Sequence, residues 1–137
     1  MTEKDWPYAA PPDLSAFHQL AREAFDEIPE GFRALCGNVA IHVAELASRE
    51  TLDALGMADP MELSGLFEGV GLPDIGVSHP YPYPNHIHLY RRPIIAEWRA
   101  LRTVTLKELV AHVLVHEIGH HFGLSDEDMH EIEERDA

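Results

Sequence analysis

The last third of the chain constrains the fold most, because a helix can be read there from its first residue to its stop. Thr105-Leu106-Lys107-Glu108 has the form of a capping box. The Thr105 hydroxyl can accept from the Glu108 amide while the Glu108 side chain reaches back. Apolar residues then recur at helical spacing through Leu109, Val110, Val113, Leu114 and Ile118, and Gly123 supplies a left-handed stop. Inside that helix stands His116-Glu117-Ile118-Gly119-His120. Positions four apart differ by about 40° and rise about 6 Å, so His116 and His120 project from one face and can grip one metal ion. Glu117 lies beside them, close enough to touch a metal-bound water without being a ligand. Two imidazoles on a metal with a carboxylate as general base are the working parts of a zinc hydrolase helix.

The five-residue pattern is suggestive alone: with 10 His and 15 Glu in 137 residues it arises by chance in about one chain in thirteen. The following residues, His121-Phe122-Gly123-Leu124-Ser125-Asp126, sharpen it. Gly123 permits a reversal after the second histidine, and Asp126 then falls where a returning chain can present a third ligand. Three protein ligands leave a fourth position for water, as a catalytic zinc site requires. Zinc lowers the pKa of that water toward neutrality, and Glu117 can take its proton as a carbonyl is attacked. An acid in the first turn of the helix opened by Ser125 also suits the helix dipole, and Asp128 and His130 are rival third ligands. The same donor set suits iron or manganese.

Other residues read more plainly. His112 extends the ladder one turn back toward a carbonyl or an acid, and His121 points about 100° away from His120. His86 and His88 share a strand face, where a two-histidine clip lacks a third partner, so a partly exposed strand face is the simpler reading. His42 reads as an ordinary strand residue. Met129 is the one methionine after the motif. Tyr81, Tyr83, Tyr90, His121 and His130 are candidate donors to a developing oxyanion.

Upstream, Asp13 and Ser15 are alternative N-caps for a helix carrying Leu14, Phe17, Leu20, Ala21, Ala24, Phe25 and Ile28, which Pro29 and Gly31 end. Residues 1–12 read as a flexible arm and 13–137 as one domain. Alternation over 38–46 predicts a half-buried strand, with Val39, Ile41 and Val43 on one side. Asp59-Pro60-Met61-Glu62 predicts a turn of helix, and Leu66–Val70 a short strand before a long loop. The prolines of His79–Asn85 forbid a strand interior or helix there. His86–Tyr90 resumes a strand, Pro93 closes it, and a helix covers Ile94–Leu101.

Lys plus Arg number 10 and Asp plus Glu 24, a net charge of −14, which argues against nucleic acid and anionic membranes as partners. Cys36 is the only cysteine, so neither an intramolecular disulfide nor a Cys-rich zinc site forms. With no apolar segment of signal-peptide or bilayer length, the chain reads as cytoplasmic.

His116-Glu117-x-x-His120-x-x-Gly123-x-x-Asp126 resembles the extended zinc motif of the zincin metallopeptidases, in the version with Asp as third ligand. Leu66-Phe67-Glu68-Gly69-Val70, Ile87-x-Leu89-Tyr90-Arg91-x-Pro93 and His120-His121-Phe122-Gly123 resemble more narrowly the minimal zincin-like metallopeptidases, small acidic bacterial proteins. The resemblance spans about residues 38–130. It implies an α+β fold, with a small sheet packed against an active-site helix, and a zinc-dependent peptidase. His116, His120 and Asp126 would bind the metal, Glu117 would be the base, and a peptide or protein would be the substrate. An extended peptide would pair with an exposed strand edge near Leu66–Val70. The rival readings are a metal-binding interaction domain without turnover and a different metal hydrolase; the acidic charge counts against a nuclease.

Overall fold

The computed structural model describes residues 10–69 and 85–135. Helix α1 (Leu14–Glu27) starts where Asp13 accepts the Ala16 amide at 2.8 Å, so Asp13 rather than Ser15 is the cap. Its buried residues, Phe17, Leu20, Ala21, Ala24 and Phe25, follow the helical period. Pro29 ends the run as expected from its missing donor, but the chain does not loop away. Pro29 is itself the cap residue of a second helix, α2 (Glu30–Cys36). Gly31 lies within α2 because Ile132 packs there; a Cβ at Gly31 would collide with the Ile132 side chain.

Strand β1 (Val39–Ala44) is followed by α3 (Arg49–Leu55), which the sequence reading lacks, and by a 3-10 turn at Pro60–Glu62 capped by Asp59. Strands β2 (Gly65–Gly69) and β3 (Asn85–Tyr90) complete a three-stranded sheet in the order β1-β3-β2. β1 runs parallel to β3, and β2 antiparallel to it. Among the described residues β2 is therefore an edge strand. Val70, the Pro/Tyr segment expected as a loop, with Tyr81 and Tyr83, and residues 1–9 of the expected arm lie outside the described residues.

Helix α4 (Arg91–Leu101) begins directly after β3, three residues earlier than expected. Pro93 sits in its first turn, where no amide hydrogen bond is required of it, and so does not delimit the helix. Trp98 is fully buried and donates its indole N–H to the Val104 carbonyl at 3.0 Å, tying down the turn into the next helix.

That helix, α5 (Leu106–His121), is the axis of the fold. Its capping box forms as read: Glu108 N–H donates to Thr105 Oγ1 at 3.1 Å, and Thr105 N–H to Glu108 Oε1 at 3.2 Å. It packs against α1, α2, α4 and β2. Eight of its residues are buried, Leu106, Val110, Leu114 and Ile118 completely. The side chains of Val39, Ile41, Phe67, Ile87 and Leu89 join the same core from the sheet. Losing one of the large aliphatic side chains there would cost about 2–5 kcal/mol. A smaller cluster of Ala47, Leu52 and Tyr90 covers one end of the opposite sheet face. The result is an α+β fold with a small mixed sheet against a central helix.

Candidate metal centre

Because α5 packs against α1, α2, α4 and β2, part of it is closed to solvent. His112 and His120 are exposed and His116 half-buried, so a histidine ridge with four-residue spacing runs along the open side of a helix half of whose residues are buried. The rings of His112 and His116 lie 4.2 Å apart, centroid to centroid, and those of His116 and His120 lie 5.8 Å apart at an interplanar angle of 82°. Burial, then the neighbouring His112 and His120, push the His116 pKa down, while Asp126 and Glu133 pull it up. A neutral imidazole is the form that ligates metal.

Glu117 is half-buried on the flank of the ridge that faces β2. A Cβ at Gly65 would lie 3.3 Å from Glu117 Cγ and 3.2 Å from Val113 Cγ1, so the glycine lets the edge strand close over this carboxylate. Burial raises the Glu117 pKa above the usual carboxylate value, and His120 partly offsets the rise. That environment suits a proton acceptor, since a carboxylate of higher pKa is the stronger base.

The chain turns after His121 with Gly123 at φ +71°, a left-handed geometry that disfavours other residues. Leu124 N–H donates to the Gly119 carbonyl at 2.8 Å, and helix α6 (Asp126–Arg135) follows, packing against α2. Ser125 and Asp128 cap it reciprocally: the Asp128 amide donates to Ser125 Oγ at 3.0 Å, and the Ser125 amide to Asp128 Oδ2 at 3.1 Å. Asp128 is thus committed to the cap, and His130 pairs with Glu134 at 3.1 Å. Asp126 is the one of the three rival ligands whose charge acts on His116. Met129, 4% exposed, packs on Gly119, where any Cβ would collide with its sulfur. That contact anchors α6 beneath the motif, one turn from Asp126.

The donor set suits zinc in kind: two imidazoles on one helix face and a carboxylate at the start of the following helix. Among the described residues no three such side chains already converge on one point close enough to hold an ion. A cleft of about 400 Å³ opens at the His112 end of the ridge, flanked by Glu27, Glu108 and Glu133.

The remaining candidates divide by face. His121 stacks on Phe67 with ring centroids 4.2 Å apart, against β2. Tyr90 is buried in the cluster with Ala47 and Leu52 on the far side of the sheet, which removes it as a donor near Glu117. Arg91 pairs with Glu45 at 2.9 Å and donates from Nε to the Pro12 carbonyl at 2.8 Å. Cys36 is 1% exposed, and burial pushes its thiol pKa up to about 11, the opposite of a nucleophile's environment.

The far face of the sheet holds what sequence reasoning misses. His42 comes to lie between His86 and His88, and Glu68 pairs with His88 at 2.7 Å. Strand pairing creates that cluster, and the one signal for it is that all four residues alternate away from apolar neighbours.

No helix among the described residues is long and apolar enough to cross a membrane. No curated protein matches the chain. A family model described as zincin-like metallopeptidase matches residues 36–135, which takes in the whole sheet, α5 and α6. On that match the chain belongs to the zincin-like metallopeptidase family.

Proposed function

We propose that the protein hydrolyses peptide bonds with one zinc ion held by His116, His120 and Asp126, and with Glu117 as general base. The observation that carries this reading is the open histidine ridge on a helix whose other faces carry the core, with a half-buried carboxylate at its flank. A fold with no use for that stripe would fill it with ordinary solvated side chains. Membership of a metallopeptidase family supports peptides as the substrate class.

Zinc bound there would polarise a carbonyl and activate water. The protein's own contribution is arrangement. Glu117 accepts the proton that water loses on attack and returns it to the leaving amine. β2 closes over Glu117 and limits its solvation. β2, an edge strand among the described residues, would offer backbone groups along which an extended peptide can add as a further strand. His112 stands at the end of the ridge without entering the proposed ligand set.

Glu117→Gln tests the assignment. Peptide hydrolysis should fall by about 10²–10⁴-fold while zinc binding is retained. A Glu117→Gln variant as active as the wild type would remove Glu117 from the reaction. Zinc-loaded wild type that cleaves nothing in a diverse peptide library would favour an interaction domain instead.

A further inference from the structure

The outer face of the sheet carries a second histidine group, away from α5. His42 on β1 is the Cα partner of His88 on β3, and Glu68 on β2 is the partner of His86. His42 Nε2 and His86 Nδ1 are 3.0 Å apart. The His42 ring stacks on His86 and on His88, with centroids 5.2 and 4.8 Å apart and interplanar angles of 25° and 20°. His88 Nε2 reaches Glu68 Oε1 at 2.7 Å. A continuous polar chain, His86–His42–His88–Glu68, therefore crosses all three strands from one sheet edge to the other.

We propose that this chain is an acid-labile clasp that ties β1 to β3 while its imidazoles are neutral and loosens that seam as they become charged. The chemistry follows from counting protons. A nitrogen-to-nitrogen hydrogen bond needs one N–H and one bare nitrogen, so His42 and His86 cannot both be imidazolium and keep it. Two donors facing each other at 3.0 Å repel, and stacked cations add to the repulsion. Glu68 can neutralise one positive charge, that of His88, whose pair with it then strengthens; charges on His42 and His86 are left to repel across the β1–β3 seam. Glu68, His86 and His88 surround His42 from the sheet, and His18 from α1, whose Nε2 lies 3.1 Å from the Ile41 carbonyl, adds a further like charge when protonated.

Burial, then His88 and His86, lower the His42 pKa, with Glu68 opposing them. A base whose folded pKa is depressed binds fewer protons folded than unfolded. Its contribution to stability is complete above the unfolded value of about 6.5 and shrinks as pH falls below it toward the folded value.

The test is thermal unfolding of the full chain at pH values from about 7.5 to 5.5, spanning the ordinary histidine range, in excess EDTA so that metal release contributes nothing, for wild type and His42→Gln. Wild type should lose more Tm on acidification than His42→Gln, by about 2–5 °C. In parallel, the wild-type histidine ring resonances should show His42 titrating below the ordinary range and one ring N–H shared with His86. These resonances serve as the readout should His42→Gln fold poorly. Parallel loss of Tm in the two proteins, or a His42 ring that titrates as in a free peptide, would overturn the clasp.

Discussion

The molecule has two groups of histidines, and they are built in opposite ways. His112, His116 and His120 stand in one line on one helix, at intervals fixed by the helical repeat. His42, His86 and His88 come from two strands far apart in the chain and meet only because β1 pairs with β3. The first group faces outward from a helix whose other faces are packed, with rings that neighbour one another edge-on or tilted. In the second, ring nitrogens are engaged with each other and with Glu68. Side chains left open to an incoming ion make a ligand face, whereas side chains that satisfy one another make a structural contact. Residue type alone does not separate the two; the contacts of the sheet histidines' ring nitrogens with each other and with Glu68 do.

The comparison breaks first if the ridge does not depend on what supports it. Gly119 has no room for a side chain above Met129. Gly119→Ala should cost about 1–3 kcal/mol in urea denaturation by overpacking, and should weaken zinc binding by displacing α6 and Asp126 with it. Adding Met129→Ala should recover part of the binding. If Gly119→Ala alone leaves affinity untouched, α6 does not position the third ligand.

Thr105→Ala, at the far end of the same helix, should cost about 1 kcal/mol through the lost cap, with no change in zinc affinity. Equal weakening of zinc would mean that the ridge responds to helix stability generally and not to its local support. On the sheet side, Glu68→Gln should cost under about 1 kcal/mol, because the carboxylate is 61% exposed and solvent screens it. His42→Gln should leave zinc stoichiometry unchanged at neutral pH, which is the sharpest contrast with the ridge.

The same contrast explains what the sequence can disclose. α5 is legible from its capping box, its period and Gly123, since all of those signals are local. The candidate ligands His116 and His120 are legible for the same reason. Asp126 depends on the direction of the chain after Gly123, and only the structure shows its rivals engaged elsewhere, Asp128 with Ser125 and His130 with Glu134. α2 escapes sequence reading because Pro29 and Gly31 both carry the marks of a stop. Their actual roles, a helix cap and a seat for Ile132 from the last helix, are tertiary. α3 escapes because Leu52 is its one buried residue, so no apolar stripe announces it. The sheet histidines are visible as residues and invisible as a cluster, since register is not written in any single strand.

The central claim is that His116 and His120, completed by Asp126, form the zinc site. Competitive zinc titration of the purified chain beside His120→Ala and Asp126→Ala tests it most directly. Wild type should bind one equivalent, and each variant should bind at least about a hundredfold more weakly, beyond the roughly 10–100-fold typical of losing an outer-shell partner. Binding of equal strength and stoichiometry in wild type and His120→Ala would contradict the account.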